Sequence, residues 1–293
     1  MENDLLILKS GSEKDYALLD SGEGEKLERY GSVILCRPDP QALWPKRLSD
    51  GEWNKADAVF THSKIRSRWI FKKKIPEKWP VRFGGLGFWI RPGTFKHTGV
   101  FPEQIPNWEW INRTITGSQN PVSVLNLFGY TGGATLTSLA AGARVCHVDA
   151  SRAAIGWARD NAKLTGLSER GVRWIPDDTM TFLKKEIRRG NKYDGIIMDP
   201  PAFGHGTNNE VWKIEKHFLE LMSLAKNVLS PKPLFFLING YASGYSGIAY
   251  RNNIDFLLSG FGGKLESGEL SIEEEKSGRL LPTGIFARWS RGL

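Results

Sequence analysis

The chain has 293 residues, 40% of them hydrophobic and 25% charged. That is enough for about two domains and for a core that needs no disulfide or metal staple. The composition excludes fibrous and disordered classes, and no run of about 18 or more apolar residues is present to span a membrane as a helix. The net charge of +8 is unevenly spread: residues 58–102 carry ten basic residues against one acid, Glu77, while residues 1–57 are net acidic. Such a segment suggests an anionic partner. The N-terminus, MENDLLILKSGSEKD, is polar and acidic rather than a secretory signal. Two cysteines, Cys36 and Cys146, support neither a disulfide framework nor a zinc site. The expectation is a reducing, cytoplasmic setting and no metal.

The N-terminal third reads as short strands between turns. YALLD (16–20) leads into the turn Ser21-Gly22-Glu23-Gly24, followed by GSVILCRP (31–38), RWIFKKKI (68–75) and GFWIRP (87–92). FPEQIPNWEWINRTI (101–115) reads as a Pro-punctuated connecting helix. Residues 1–115 are therefore expected to form a β-rich domain. After Asn120-Pro121 the pattern changes. Apolar strands at 123–128, 143–150, 172–178, 193–201 and 233–240 alternate with helical patterns at 133–142, 151–166, 179–190, 210–229 and 248–259. Ser151 suits an N-cap and Gly166 a helix stop. This alternation predicts a doubly wound, mostly parallel α/β sheet over residues 116–293. Two final strands, 268–276 and 283–290, have no helix between them and should pair as an antiparallel hairpin, making seven strands in all.

Ligands of open parallel sheets bind at the carboxyl ends of the strands, near the point where strand order reverses. Four such ends are informative here. The first, LNLFGYTGGA (125–134), offers Gly129, Gly132 and Gly133 for a tight turn and a close backbone approach, although its spacing fits the dinucleotide template Gly-x-Gly-x-x-Gly poorly. The second ends in Asp149, whose carboxylate can accept from both hydroxyls of a ribose or cap the following helix; Ser151 suits the cap better. The third ends in Asp177-Asp178, one of which can accept from the exocyclic amine of adenine while the other caps a helix. The fourth, Asp199-Pro200-Pro201-Ala202-Phe203-Gly204, has two prolines that fix the backbone and withdraw N–H donors. It can offer carbonyls and an aromatic platform to a flat substrate, or simply stop a strand. His205 follows, either a proton acceptor or a plain loop residue.

Taken as a set, these ends and the closing hairpin resemble the class I S-adenosylmethionine-dependent methyltransferases over roughly residues 120–293. The resemblance implies that Phe128, Gly129, Tyr130, Thr131 and Gly132 hold the methionine end of the cofactor. It implies that Asp149, with Ala150 and Ser151, holds the ribose, and that Asp178 holds the adenine. Asp199, Pro200, Pro201 and Phe203 would face the methyl acceptor, with Asp199 also bordering the cofactor. A narrower resemblance extends upstream. Thr98, Gly99, Phe101 and Gln104 follow the pattern Thr-Gly-x-Phe-x-x-Gln of a bacterial group that includes large-subunit ribosomal RNA methyltransferases of the cytosine-C5 and guanine-N7 kinds. In that group the stretch crosses the cofactor pocket, so Thr98, Phe101 and Gln104 join the implied cofactor residues; a plain linker is the other reading.

Two departures matter. The chain has no room for the separate RNA-binding module that begins the cytosine-C5 members. Those members also need a thiol just past the fifth strand, because C5 of a pyrimidine is not nucleophilic by itself. Here that stretch is LINGYASG, with Asn239, Gly240 and Tyr241 and no cysteine. The expected chemistry is direct displacement onto a nitrogen or oxygen of an RNA base. In KIRSRWIFKKK (64–74), Trp69 and Phe71 alternate with Lys64, Arg66, Arg68, Lys72, Lys73 and Lys74. The cations would meet phosphates and the aromatics would stack on unpaired bases. A strand with buried aromatics and solvated lysines is the competing reading. A methyltransferase for a small molecule or protein, a nicotinamide-dependent oxidoreductase and a catalytically silent RNA-binding module are the alternatives; poor glycine spacing argues against the oxidoreductase.

Overall fold

A computed structural model describes residues 4–61, 67–205, 211–241 and 244–291. The chain divides into two compact units, one made of residues 9–106 and 270–283, the other of residues 1–8, 107–269 and 284–293.

The first unit is β-rich. After β1 (Leu5–Ser10), which crosses the unit boundary, come β2 (Tyr16–Gly22), β3 (Glu25–Tyr30), β4 (Val33–Pro38), the short helix α1 (Asp50–Trp53), β5 (Ala58–Thr61) and β6 (Arg68–Phe71). Strands β2 to β6 form one sheet in chain order, and β7 (Trp79–Phe83) pairs with β8 (Leu86–Ile90) as a separate hairpin. Glu23 and Gly24 link β2 to β3 with φ of 54° and 77°, the positive values that a two-residue hairpin turn requires. The core packs Tyr16 against Tyr30 and Phe83 at ring distances of 5.1 and 5.2 Å. The buried Glu28 carboxylate accepts from Tyr16 at 2.9 Å and from Arg37 Nε at 2.7 Å. Arg37 also donates to the Lys96 carbonyl at 3.0 Å, so this satisfied buried pair fixes the chain just before His97 and Thr98.

The second unit is a three-layer α/β/α arrangement. In chain order it contains α2 (Ile105–Thr116), β9 (Ser123–Leu127), α3 (Gly133–Ala140), β10 (Arg144–Asp149), α4 (Arg152–Thr165), β11 (Val172–Pro176), α5 (Thr179–Arg189) and β12 (Gly195–Met198). A two-stranded ribbon follows, β13 (Phe203–His205) with β14 (Val211–Lys213), then α6 (Ile214–Asn227), β15 (Phe235–Gly240), α7 (Gly247–Leu258), β16 (Lys264–Glu273) and β17 (Leu280–Ser290). The large sheet runs β1-β16-β17-β15-β12-β9-β10-β11. The five strands from β15 to β11 are parallel to their neighbours, and β17 is antiparallel to β15. One face buries Leu125, Val148, Met198 and Ile238 against α5, α6 and α7. On the other face Trp110 of α2 packs against Phe235 at 5.6 Å.

Local sequence accounts for most of these boundaries. Ser151 caps α4 by accepting from Ala154 N at 3.2 Å, and Gly166 and Gly190 end α4 and α5 in the left-handed conformation. Two expectations need correction. The sheet has eight strands rather than seven, because Leu5–Ser10 joins its edge beside β16. Residues 210–229 are not one helix. Val211–Lys213 is a strand paired with Phe203–His205, and the helix begins at Ile214. The Ile214 N–H goes to the Ala202 carbonyl at 3.0 Å, which starts the helix at that residue.

Candidate active site

Strand order reverses at β9. The chain moves from β9 to β10 and β11 on one side, then returns to β12 and β15 on the other. Register aligns the four strand ends. Leu127 pairs with Val148 and with Met198, Asp149 pairs with Pro176, and Met198 pairs with Ile238. Phe128, Asp149 and Asp199 therefore emerge side by side, with Asp177 one residue beyond the end of β11. Adjacent strands lie about 4.8 Å apart, so Asp149 and Asp199 flank the glycine loop within a small-molecule span.

Contacts explain each glycine of the loop between β9 and α3. A methyl group at Gly129 would lie 2.5 Å from the His147 ring, and one at Gly133 would lie 2.3 Å from Trp108. Gly132 adopts φ of 91° and would bring a methyl to 3.1 Å from Ala158 Cβ. The loop also holds two non-glycine residues at positive φ, Phe128 at 56° and Tyr130 at 47°. Each costs about 1–3 kcal/mol and persists only where neighbours enforce it. The enforcing bonds run from Gly129 N to the Val148 carbonyl at 3.0 Å, Tyr130 N to Asp149 Oδ2 at 2.8 Å, and Asn161 Nδ2 to the Thr131 carbonyl at 3.0 Å.

Asp149 accepts from Tyr130 N through Oδ2 and from Ser151 N through Oδ1 at 2.8 Å. A carboxylate has about four lone-pair positions, so each oxygen keeps one for a ligand hydroxyl. Burial raises its pKa, opposed by these two backbone N–H groups. Ala150 is half-buried and Ser151 exposed beside it. Asp178 is the N-cap of α5, its Oδ1 accepting from Thr181 N at 2.8 Å. Asp177 is ion-paired with Lys185 at 2.6 Å. The cap thus falls on Asp178 itself rather than on Asp177, correcting the expected split of roles, and leaves Asp178 its second oxygen.

The half-buried Asp199 directly follows β12, with buried Pro200 and exposed Pro201 after it. Phe203 is 54% exposed. The Pro201 carbonyl accepts the Trp212 indole N–H at 2.6 Å, and the Ala202 carbonyl accepts from Ile214. Two of the carbonyls expected to face a substrate thus already hold the loop to the ribbon and α6. Asn239, beside Asp199, accepts from Asn107 Nδ2 at 2.9 Å, and Arg288 donates to Asn107 at 3.2 Å.

Thr98, Phe101 and Gln104 belong to the β-rich unit. There the Thr98 carbonyl accepts from Arg91 N at 3.1 Å, the His97 and Phe101 rings are 5.5 Å apart, and Gln104 is buried. Of the basic residues, Arg68, Lys72, Lys73 and Lys74 are exposed, and Lys73 pairs with Asp57 at 2.6 Å. Lys64 and Arg66 lie outside the described residues, as does the His205 side chain. Trp69 does not face solvent: it is buried against Phe60 at 5.4 Å and donates to the Phe95 carbonyl, leaving Phe71 as the exposed aromatic.

Several supporting residues escaped the sequence reading. His147 lies buried beneath Gly129, 2.9 Å from Thr135 Oγ1, which also accepts from Asn126 Nδ2 at 2.9 Å. Burial pushes the His147 pKa down to about 3, opposed by the Tyr130 backbone. The available signal was a polar residue inside each of the apolar runs SVLNLF and ARVCHVDA. Trp108, Asn161 and Trp212 carry no such signal. Among the described residues, no cluster of three or more His, Cys, Asp or Glu is placed to hold a metal, and no helix is long and apolar enough to cross a membrane.

A glycine loop fastened to β10, a carboxylate with spare acceptor positions and an Asp-Pro-Pro exit meet at the switch point, where open α/β sheets bind their ligands. Residues 60–242 match the family model of S-adenosylmethionine-dependent methyltransferases, and the chain belongs to that family. An S-adenosylmethionine-dependent methyltransferase from Agrobacterium tumefaciens superposes with a TM-score of 0.93 at 43% identity, over 98% of this chain and 93% of that one. Ribosomal RNA large subunit methyltransferase K of Neisseria meningitidis is 25% identical over 76% of this chain and 64% of its own length. Methyltransferase K/L of Syntrophotalea carbinolica is 30% identical over 56% of this chain and 22% of its own. The chain thus spans less than two thirds of either ribosomal RNA enzyme.

Proposed function

We propose that this methyltransferase modifies a nitrogen, or an oxygen, of an RNA base by direct displacement without a cysteine nucleophile, and that its substrate is ribosomal RNA in the cytoplasm. The observation that carries the reading is the acceptor loop beside the cofactor loop: Asp199 emerges next to Phe128 in register, and the exposed Phe203 follows four residues on. S-adenosylmethionine supplies an electrophilic sulfonium methyl group. Gly129 to Gly132 would hold its methionine end, Asp149 the ribose hydroxyls and the second oxygen of Asp178 the adenine amine. The Asp199 carboxylate would accept a hydrogen bond from the acceptor base and Phe203 would stack on it. The protein's contribution is then alignment and electrostatics.

The cysteine chemistry supports this reading. Both thiols are buried, and burial pushes the Cys36 and Cys146 pKa values up to about 12 and about 11. The thiolate is the reactive form, so neither is suited to attack a base. Exposed Arg68, Lys72, Lys73 and Lys74 support an RNA substrate, as do the ribosomal RNA methyltransferases among the relatives. A base within a duplex would have to be flipped out.

The test is transfer of labelled methyl from S-adenosylmethionine to RNA and protein from cells lacking the gene, beside an Asp149→Ala control. Label removed by RNase and absent with the control supports the proposal, and nucleoside digestion names the acceptor. Label in protein or in the small-molecule fraction overturns the RNA substrate.

A further inference from the structure

We propose that Trp212 is a positioning residue that holds the methyl-acceptor loop in register with the cofactor loop. The inference rests on the reading of Asp199–Phe203 as the acceptor loop, but not on the acceptor being RNA.

The two prolines after Asp199 have no backbone N–H, so this strand exit cannot be held by donating ladder bonds. Its carbonyls must be held instead. The Trp212 indole N–H donates to the Pro201 carbonyl at 2.6 Å, and the next carbonyl is held by the start of α6. Trp212 sits opposite Gly204 in the β13–β14 ribbon. The indole is buried and lies between two rings, Phe128 at 5.7 Å and His217 at 5.6 Å. His217 is itself fixed by a 3.0 Å bond from Lys213 N to its Nδ1.

Phe128 is the first residue of the cofactor loop and one of its two strained positions. Its neighbours Gly129 and Tyr130 are fastened to β10. A continuous chain of rigid contacts thus runs from the Pro201 carbonyl through the indole to Phe128 and the loop beyond. Any buried indole N–H needs an acceptor; here the acceptor is the strand exit, and the same ring touches a strained residue of the cofactor loop. Displacement at a methyl group needs the attacking atom in line, and about 1 Å of misplacement can cost about 100-fold in rate.

The experiment uses the full chain labelled with ¹⁵N at its indoles. Eleven tryptophans give a tractable spectrum, and the Trp212 signal is the one missing from Trp212→Phe. Addition of S-adenosylmethionine alone is expected to shift that signal with the affinity measured by calorimetry. Phe128→Leu, titrated to saturation at whatever affinity calorimetry gives it, is expected to lose the shift. In turnover, Trp212→Phe is expected to keep cofactor affinity within about twofold while kcat falls about 10- to 100-fold and the acceptor KM stays within about threefold. An unmoved indole signal at saturating cofactor overturns the proposal, as does wild-type kcat in Trp212→Phe. If Trp212→Phe melts early, the wild-type spectrum compared with Phe128→Leu still decides. A shift accompanied by no methylation of RNA removes the RNA substrate and leaves the coupling standing.

Discussion

Replacing Gly129 with alanine tests the idea that the cofactor loop is shaped from below by a buried histidine. The new methyl would sit 2.5, 2.6 and 3.0 Å from Cε1, Nδ1 and Nε2 of His147, where carbon contacts are ordinarily about 3.5–4.0 Å. Something must therefore move by about 1 Å. The ring has no room: it is fully buried, bonded to Thr135 at 2.9 Å and packed on Trp174 at 4.8 Å. The loop must lift, and Tyr130 N is drawn away from Asp149. Overpacking of this kind costs about 1–3 kcal/mol, which lowers Tm by about 2–10 °C for a domain of this size. A charge-assisted bond of about 1.5–3 kcal/mol is weakened with it, so S-adenosylmethionine affinity should fall about 10-fold or more. Calorimetric titration and thermal melting read the two effects. Adding His147→Ala to Gly129→Ala should recover part of both, with a coupling of about 0.5–3 kcal/mol. Wild-type binding and Tm in Gly129→Ala, or strict additivity in the double variant, would refute the reasoning.

Asp178→Ser keeps a good helix cap but removes the second oxygen; Tm should stay within about 2 °C while cofactor affinity drops severalfold, and unchanged affinity would remove Asp178 from the adenine site. Reversing Lys72, Lys73 and Lys74 to glutamate should weaken binding to RNA across sequences and flatten the dependence of log K on log salt by up to about two or three; an unaltered slope in filter binding would move RNA contact elsewhere. Acid should destabilise the fold through two buried histidines. Burial lowers His147 to about 3 and His97 to about 4, the latter helped by Arg37 and Lys96. Below the ordinary value of about 6.5 the unfolded chain binds protons that the folded chain does not, so stability falls as pH drops from about 6.5 toward 4, by up to about 1.4 kcal/mol per pH unit for each group. Urea midpoints between pH 7 and 5 should show this slope, and His147→Leu should lose about half of it; an equal slope in that variant would contradict the assignment.

The residues at the carboxyl edge of the sheet were legible because each belongs to a local pattern: an apolar run, then glycine, aspartate or proline. Ser151 and Gly166 were legible for the same reason, since caps depend on the backbone requirements of a few residues. The residues that support them were not. His147 and Asn126 show only as polar interruptions of a strand, and the partner they share, Thr135, lies on the following helix. Leu5–Ser10 reads as an ordinary polar N-terminus because its neighbour β16 lies at the other end of the chain. Val211–Lys213 shares the helical spacing of α6, so only pairing with Phe203–His205 reveals a strand. The alternation of aromatics and lysines around Trp69 could not distinguish a stacking surface from a core strand; burial against Phe60 assigns Trp69 to the core.

The path of the chain between its units limits how this protein can be taken apart. Residues 9–106 are completed by 270–283, the far end of the β16–β17 hairpin. There Arg279 donates to Asp20 at 2.9 Å and to the Pro45 carbonyl at 3.2 Å, while Glu274 accepts from Ser21 at 2.6 Å. Deleting the N-terminal hundred residues would strip those partners from the hairpin and β1 from its sheet edge. The catalytic half therefore cannot be moved between proteins by a single crossover in the gene; the two units must be inherited, and redesigned, together.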